Sequence, residues 1–205
     1  NEDYTENNTD PRQPFWNRAT QGTYAPGSTF KPVTAIAALE TGIITPKSTI
    51  LTKGVYHYGD WAYKCWLYNQ NGGTHGRIDV TEAIKVSCNY FFYDIGRRTG
   101  ISTIARYASA FGLGEPTGIE IPEKIGVMTT PDYVNSLDGH YWTDGQTLTA
   151  AIGQSYSLFT PLQLANYVAT LAGGGTRYNA HLLKEVRTYD SAELVDVYDK
   201  PPTEI

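Results

Sequence analysis

A serine and a lysine stand three residues apart in the stretch Tyr24–Glu40, which reads YAPGSTFKPVTAIAALE. The pair, Ser28 and Lys31, comes just before an alanine-rich apolar run. A serine hydroxyl is a poor nucleophile at neutral pH unless a base lies beside it. Lysine can be that base when burial lowers the pKa of its amine. The spacing predicts an activated serine nucleophile, although an N-cap serine followed by a solvated lysine would produce the same pattern.

The element that must position this pair is a helix. The run from Thr29 to Thr41 is apolar on nearly every side, which predicts a helix buried all round that ends at Gly42. Pro32 is tolerable only near the first turn, so we expect the helix to begin at about Ser28. Positions i and i+3 share a face, so we expect the Lys31 amine to reach the Ser28 hydroxyl. The helix N-terminus would also favour an oxyanion formed next to Ser28.

A second group of polar residues, Ser87-Cys88-Asn89, falls between two predicted helices. The first of these helices follows Asp79, with Glu82 in the position of a capping box. Ser87 offers a second hydroxyl for proton relay, and the Asn89 amide can both donate and accept hydrogen bonds. A helix cap is the alternative interpretation of these residues.

Three longer segments around these groups resemble those of penicillin-binding proteins: DPRQPFWNRATQGTYAPGSTFKPVTAIAALETG, HGRIDVTEAIKVSCNYFFYDIG and AIGQSYSLFTPLQLANYVATLAGGG. Ser-x-x-Lys with a later Ser-x-Asn belongs to the signature of this family. The resemblance covers most of residues 10–185 and is closer to the class B, monofunctional enzymes. It implies an α+β fold that is mostly helical here, namely the helical part of the serine β-lactamase/penicillin-binding protein transpeptidase fold, with the main antiparallel sheet incomplete.

The resemblance also implies roles for four residues. Ser28 would be acylated by the D-Ala-D-Ala end of a peptidoglycan stem peptide, and Lys31 would take its proton. Ser87 would relay a proton to the leaving amine, and Asn89 would hold the substrate backbone. An amine from a neighbouring stem peptide would then form the cross-link, and β-lactam antibiotics would acylate the same serine. No cofactor is implied.

The third motif of the family, Lys-Thr-Gly, is absent from the chain. The related triplets that begin at Glu40, Arg98 and Pro116 fall at predicted helix ends or in loops. We therefore interpret residues 1–205 as a partial transpeptidase domain that lacks the N-terminal strands and the C-terminal Lys-Thr-Gly strand region. Such a piece is expected to be a poor catalyst alone, because the missing strand supplies an oxyanion donor. We also expect it to dimerise or to expose an apolar face where the sheet would pack.

Composition limits the remaining classes. The 205 residues carry a formal net charge of −5, which argues against a nucleic-acid partner. No apolar run reaches the roughly 18 residues of a membrane span, and the polar opening does not suit a signal peptide. The resemblance implies a parent protein anchored at the extracytoplasmic face of a bacterial membrane, with cell-wall synthesis partners. A β-lactam-sensing receptor domain that is acylated without turnover and a non-catalytic relic are the alternatives.

The cysteines and histidines leave two questions open. Cys65 and Cys88 could form one disulfide or remain as two buried thiols. Together with His57 and His75 they match no spacing typical of a metal site, so we predict none.

Aromatic and loop-rich segments make up the rest of the prediction. Trp61, Trp66 and nearby tyrosines would line a groove for a glycan or peptide, or simply pack in a core or interface. The other predicted elements are a loop through Gly22, short strands over residues 47–78, a helix capped by Ser102, a mostly irregular stretch from Glu115 to about Thr147, a helix beginning at Thr160, and a hairpin with its turn at Asp190-Ser191.

Overall fold

A computed structural model describes residues 2–190 and 192–205. The chain forms two compact units, each treated by itself. We call Ala25–Ala110 with Val127–Ser157 the site unit, and Asn1–Tyr24, Phe111–Gly126 and Leu158–Ile205 the flanking unit. Within the described residues there are ten α-helices and four two-stranded antiparallel sheets. The mostly helical α+β class predicted from the sequence is therefore confirmed.

The helix that carries Ser28 and Lys31 begins where it was predicted, but its first turn is tighter than an α-helix. Residues Gly27–Phe30 form a 3₁₀ helix, and α3 spans Lys31–Glu40. Pro32 has no N–H to donate to the Ser28 carbonyl, so that carbonyl accepts the Lys31 N–H instead. The helix ends at Thr41 and Gly42, whose φ of +70° is readily adopted only by glycine.

Helix α6, Asn89–Thr99, packs against α3 and supplies the largest side chains of the core. Phe91, Phe92 and Ile95 are fully buried. Gly96 permits close approach of helix α9, Gly145–Ala150, since a Cβ at this position would collide with the methyl group of Ala151, the C-cap residue of that helix. Replacing either buried phenylalanine by alanine would cost about 3–5 kcal/mol of stability. This core gives the site residues a rigid base.

The remaining elements of the site unit surround α3 and α6. Strand β1 pairs with β4, with Ile50 opposite Ile78, and β2 pairs with β3, with Val55 opposite Lys64. The elements are β1 (Ile50–Thr52), β2 (Val55–Tyr58), β3 (Trp61–Lys64), α4 (Trp66–Asn71), β4 (Gly76–Ile78), α5 (Val80–Lys85), α7 (Ile101–Ala110), α8 (Pro131–Ser136) and α9 (Gly145–Ala150).

Several local predictions in this unit need correction. The short strands over residues 47–78 are confirmed, but helix α4 was missed because Cys65, its N-cap residue, makes no capping side-chain bond. Ser102 lies inside the first turn of α7, because α7 begins at Ile101 directly after Gly100 ends α6. The irregular stretch from Glu115 contains α8, which Thr130 caps by accepting the Tyr133 N–H.

The Asp79 cap is confirmed in part. Its side chain accepts the Glu82 N–H at 2.9 Å and starts α5. The Glu82 carboxylate does not complete a capping box and pairs instead with Lys85 at 3.2 Å. The side chains therefore cap the Glu82 N–H alone, whereas a full capping box would also cap the Asp79 N–H.

The flanking unit contains helices where the sequence predicted a loop. Helix α1 spans Glu2–Thr9, and Asn17 caps the short helix α2, Arg18–Gln21. Helix α10, Pro161–Ala172, confirms its prediction with a complete capping box between Thr160 and Gln163. The strands are β5 (Thr176–Arg177), β6 (Glu185–Arg187), β7 (Leu194–Val197) and β8 (Thr203–Glu204).

Strands β6 and β7 pair antiparallel, which confirms the predicted hairpin. Of the predicted turn, Ser191 lies outside the described residues. Strand β5 pairs with β8. Across the two described segments, no helix combines the length and the apolar character needed to cross a membrane.

Candidate active site

Ser28 lies exposed in the 3₁₀ turn. The contact between Gly27 and Gly153 stabilises this turn. The Gly27 N–H donates to the Gly153 carbonyl at 2.8 Å. Gly27 has φ +55° and Gly153 has φ +73°, both in the left-handed region that favours glycine. A Cβ on Gly153 would collide with the Gly27 carbonyl and the Phe30 side chain. This close approach fixes the turn that presents the Ser28 hydroxyl.

Lys31 points from the start of α3 toward the segment between α5 and α6. Its side chain is buried, with 1% of its surface exposed. The amine donates to the Ser87 carbonyl at 2.8 Å, to Ser87 Oγ at 2.8 Å and to Asn89 Oδ1 at 2.7 Å. These three acceptors match the three donors of a lysine ammonium.

The surroundings of Lys31 lower the pKa of its amine. Burial lowers the pKa of the amine from 10.5 to about 8, and the nearby Cys65 and Cys88 sulfurs partly oppose this shift. The Phe92 ring lies 5.6 Å from Nζ and helps to exclude water. At pH 7 a pKa of about 8 leaves roughly a tenth of the amine neutral, and only the neutral amine can accept a proton.

Ser87 links the nucleophile to the base. Its Oγ lies 3.0 Å from Ser28 Oγ and 2.8 Å from Lys31 Nζ. The sequence predicted a direct Lys31–Ser28 bond, whereas among the described contacts the connection runs through Ser87. Ser87 has φ +51°, a conformation that costs a non-glycine residue about 1–3 kcal/mol. The neighbouring helices hold this serine in a strained conformation that places its hydroxyl between two reactive groups.

The structure thus brings all four sequence-predicted site residues together. The path runs from Ser28 Oγ to Ser87 Oγ to Lys31 Nζ to Asn89 Oδ1, with steps of 3.0, 2.8 and 2.7 Å. Such a path can move a proton from a hydroxyl to a buried amine over two short hydrogen bonds. The arrangement suits a serine nucleophile activated by a lysine base.

A second group of reactive side chains lies in the same unit. Cys65, His75 and Cys88 come within 4.8 Å of one another at their donor atoms. Both cysteines are buried free thiols, and the exposed His57 is not part of the group. A hydrogen bond from Cys88 lowers the pKa of Cys65 to about 5, and the same interaction raises the pKa of Cys88. Sequence spacing predicted no metal site and could not reveal this proximity.

The aromatic residues separate into two settings. Trp61 is 72% exposed and lines a cavity of about 520 Å³. Trp66 lies elsewhere, where its indole N–H donates to the Val86 carbonyl at 3.1 Å. A groove therefore exists at Trp61, and its occupancy by a glycan or peptide stays a prediction. Its polar and aromatic lining includes Tyr58, Tyr63, Asp144 and Gln146.

The fold is that of one known class of protein. Residues 1–204 match the family model described as the penicillin binding protein transpeptidase domain. The chain belongs to the penicillin-binding protein transpeptidase family, as the sequence resemblance implied.

Particular members of the family are similar over nearly the whole chain. The peptidoglycan D,D-transpeptidase MrdA of Haemophilus influenzae is 33% identical over 201 residues, which are 98% of this chain and 30% of that protein. The crystal structure of Pseudomonas aeruginosa PBP2 in complex with WCK 5153 has a TM-score of 0.85 and 31% identity, over 100% of this chain and 45% of that one.

A more distant structure is penicillin-binding protein A from M. tuberculosis, described as a penicillin G acyl-enzyme complex. Its TM-score is 0.79 at 25% identity, over 99% of this chain and 44% of that one. The chain therefore spans less than a third of the curated relative and less than half of each solved structure.

Proposed function

We propose that this chain forms the serine-bearing part of a peptidoglycan D,D-transpeptidase that cross-links stem peptides through an acyl-serine intermediate. One observation carries the proposal: the continuous hydrogen-bonded path from Ser28 through Ser87 to the buried Lys31 amine. The name of the Haemophilus influenzae relative, a peptidoglycan D,D-transpeptidase, supports the same activity.

In the proposed reaction, Ser28 Oγ attacks the carbonyl carbon between the two D-alanines of a stem peptide. The Ser28 proton passes to Ser87, and the Ser87 proton passes to the neutral Lys31 amine. The C–N bond then breaks, and the terminal D-alanine leaves with a proton returned through Ser87. An acceptor amine from a second stem peptide attacks the acyl-serine ester, which restores the Ser28 hydroxyl and forms the cross-link.

Asn89 contributes a fixed amide to this site. Because its Oδ1 accepts from Lys31 at 2.7 Å, the orientation of its amide group is set. Its NH₂ group is then the part that can donate to a substrate carbonyl. We assign Asn89 to holding the backbone of the stem peptide, as the resemblance implied.

The proposal extends to a longer protein of which this chain would be one part, since the chain covers only 30% of the Haemophilus influenzae relative. No Lys-Thr-Gly triplet occurs in the 205 residues, so we propose that strands outside them complete the substrate site and the second oxyanion donor. We also propose β-lactam antibiotics as ligands and the extracytoplasmic face of the cell membrane as the location. Cell-wall synthesis partners and self-association of the chain remain predictions.

Labelling with a fluorescent penicillin tests the assignment of the nucleophile. The 205-residue chain and a version extended at both ends with native sequence are each compared with Ser28→Ala. The extended protein is expected to label at least about 100-fold faster than the shorter chain, because it regains an oxyanion donor. Equal labelling of Ser28→Ala, or no labelling of the extended protein, would refute the proposal.

Turnover separates the transpeptidase from a sensor. A transpeptidase releases D-alanine from a D-Ala-D-Ala peptide in the presence of an acceptor amine. A receptor domain keeps its penicillin label and releases no D-alanine. Mass spectrometry of the peptide products distinguishes these outcomes.

A further inference from the structure

Ser87 occupies the position at the end of helix α5 where glycine is usual. Its N–H donates to the Ile84 carbonyl at 3.1 Å, and the Cys88 N–H donates to the Ala83 carbonyl at 2.9 Å. These are the two bonds of a Schellman motif, in which the first residue past the helix cap is left-handed and most often glycine. Ser87 adopts this conformation with φ +51°. The hydroxyl of the proposed proton path is therefore carried by a helix-terminating turn, in a conformation that a serine does not favour by itself.

Two side chains from outside α5 hold the peptide groups on either side of Ser87. The last carbonyls of a helix have no partner within that helix. The Val86 carbonyl accepts the indole N–H of Trp66 at 3.1 Å. The Ser87 carbonyl accepts the Lys31 amine at 2.8 Å. Because each peptide group is planar, the one that contains the Val86 carbonyl turns with φ of Ser87, and the next one turns with ψ. Trp66 therefore fixes the strained angle, and Lys31 fixes the other.

Trp66 is itself held in place at the start of helix α4. The residue before it, Cys65, donates its N–H to the Gly54 carbonyl at 2.8 Å, and the indole ring lies 5.5 Å from the His75 ring between centroids. An indole has one donor and no acceptor, so its hydrogen bond selects a single carbonyl. Trp66 is 42% exposed, so burial in the core does not account for its position. Its bond to a carbonyl 20 residues away does.

We propose that Trp66 is a positioning residue for acylation. Its indole N–H binds the Val86 carbonyl and keeps Ser87 in the left-handed conformation. In that conformation Ser87 Oγ lies 3.0 Å from Ser28 Oγ and 2.8 Å from Lys31 Nζ. Without the indole N–H, the peptide group before Ser87 turns toward the negative φ that serine prefers, and the hydroxyl leaves the proton path. The effect on acylation rests on the proposed function, whereas the effect on the Ser87 conformation does not.

Two replacements of Trp66 separate the hydrogen bond from the packing of the ring. Trp66→Phe removes the N–H and part of the ring, whereas benzothienylalanine at position 66 replaces the N–H by sulfur and keeps the two-ring shape. Fluorescent-penicillin labelling of the extended protein at several penicillin concentrations gives the dissociation constant of the non-covalent complex and the rate constant of acylation. Both replacements should lower the rate constant about 10- to 100-fold, because a displacement of about 1 Å can cost about 100-fold.

The dissociation constant should change less than about twofold, because Asn89, which we assign to substrate binding, keeps its bond to Lys31. Trp16→Phe is the matched control. Trp16 is 39% exposed and belongs to the flanking unit, so its replacement should leave both constants unchanged. A normal rate constant with benzothienylalanine at position 66 would overturn the proposal, and so would equal slowing by Trp16→Phe.

Amide hydrogen exchange in the 205-residue chain tests the positioning without any labelling. The Ser87 and Cys88 N–H groups should exchange about tenfold faster in Trp66→Phe than in the original chain, because the turn that they close opens more often. The Glu82 N–H, which Asp79 caps at the start of the same helix, should exchange at the original rate. Unchanged exchange at Ser87, or equally faster exchange at Glu82, would contradict the proposal.

These two measurements also separate the positioning from the acyl-transfer assignment. If the original extended protein takes no penicillin label while Ser87 and Cys88 respond to Trp66→Phe, the positioning holds and the proposed function fails. If Ser28 is labelled normally and neither the rate constant nor the exchange responds, the proposed function holds and Trp66 does not position Ser87.

Discussion

The two units of the chain hold their polar residues in contrasting ways. In the site unit, Lys31 is fully buried and bonds to residues 56 and 58 positions away. In the flanking unit, Arg187 bonds to Glu185, two residues away, on an exposed hairpin. A buried and shared contact transmits a local change to several partners, whereas an exposed local pair is worth about 1 kcal/mol or less. Substitutions should therefore affect function in the first unit and, at most, local stability in the second.

The largest expected effect comes from Lys31→Met. Methionine fills a similar volume without an amine, so proton transfer from Ser28 loses its base, and acylation by penicillin should fall by about 100- to 10,000-fold. The thermal midpoint should fall, because the Ser87 carbonyl, Ser87 Oγ and Asn89 Oδ1 would each lose the donor that Lys31 provides. Stopped-flow labelling and thermal denaturation measure the two quantities.

Lys85→Met is the matched control for this substitution. The Lys85 side chain is 73% exposed, and among the described residues it pairs only with Glu82, so both labelling and stability should change little. If Lys31→Met and Lys85→Met label at the same rate, Lys31 is not the base.

A second pair of substitutions separates backbone strain from steric collision. Gly153 and Gly174 both have φ +73°. A Cβ on Gly153 would meet Gly27 and Phe30, whereas no described residue has an atom within 4 Å of a Cβ on Gly174. Alanine at Gly174 should cost about 1–2 kcal/mol for the left-handed conformation alone. Alanine at Gly153 should cost a further 1–3 kcal/mol, roughly, for overpacking and should also slow penicillin labelling, because the turn that presents Ser28 must shift.

Chemical denaturation of both variants gives the difference in the free energy of unfolding. Equal losses would show that the Gly27–Gly153 contact relaxes without cost. A Gly153→Ala protein that labels at the original rate would show that this contact does not position Ser28.

The sequence predicted the fold best where several local signals agree. Helix α10 has Thr160 as N-cap, Pro161 at its first position and Gln163 completing the capping box, and it was located correctly. Helix α4 offers no capping side chain at Cys65, and it was missed. Helix α8 was missed as well, because the Gly/Pro-rich stretch around its Thr130 cap favoured a loop.

The same distinction applies to the site. The types and spacing of Ser28, Lys31, Ser87 and Asn89, together with the family resemblance, indicated which residues would gather. They could not show that Ser87 stands between Ser28 and Lys31, because that follows from the packing of α3 against α6 and the left-handed φ of Ser87. Only the folded chain brings Cys65 close to Cys88.

The pH dependence of penicillin labelling should show an effect of intermediate size. Because burial lowers the pKa of Lys31 to about 8, penicillin labelling of the extended protein should rise about tenfold per pH unit below pH 8 and level off above it. The sign follows from the need for a neutral amine, whose fraction grows as pH rises. Lys31→Met should lack this rise. A wild-type profile that is flat between pH 6 and pH 9, within roughly twofold, would mean that Lys31 does not limit acylation.

The smallest effects should come from two helix caps, one in each unit. Asp79 caps α5 by accepting the Glu82 N–H at 2.9 Å, and Thr160 caps α10 by accepting the Gln163 N–H at 3.1 Å. Alanine at either position should cost about 1 kcal/mol of stability. Only Asp79→Ala should also slow penicillin labelling, because α5 leads directly into Ser87, whereas Thr160 starts a helix of the flanking unit. The penicillin-labelling rates of the two variants are compared at a temperature well below the unfolding temperature of each. Equal slowing of labelling by the two variants would show that the units do not differ in how they transmit a local change.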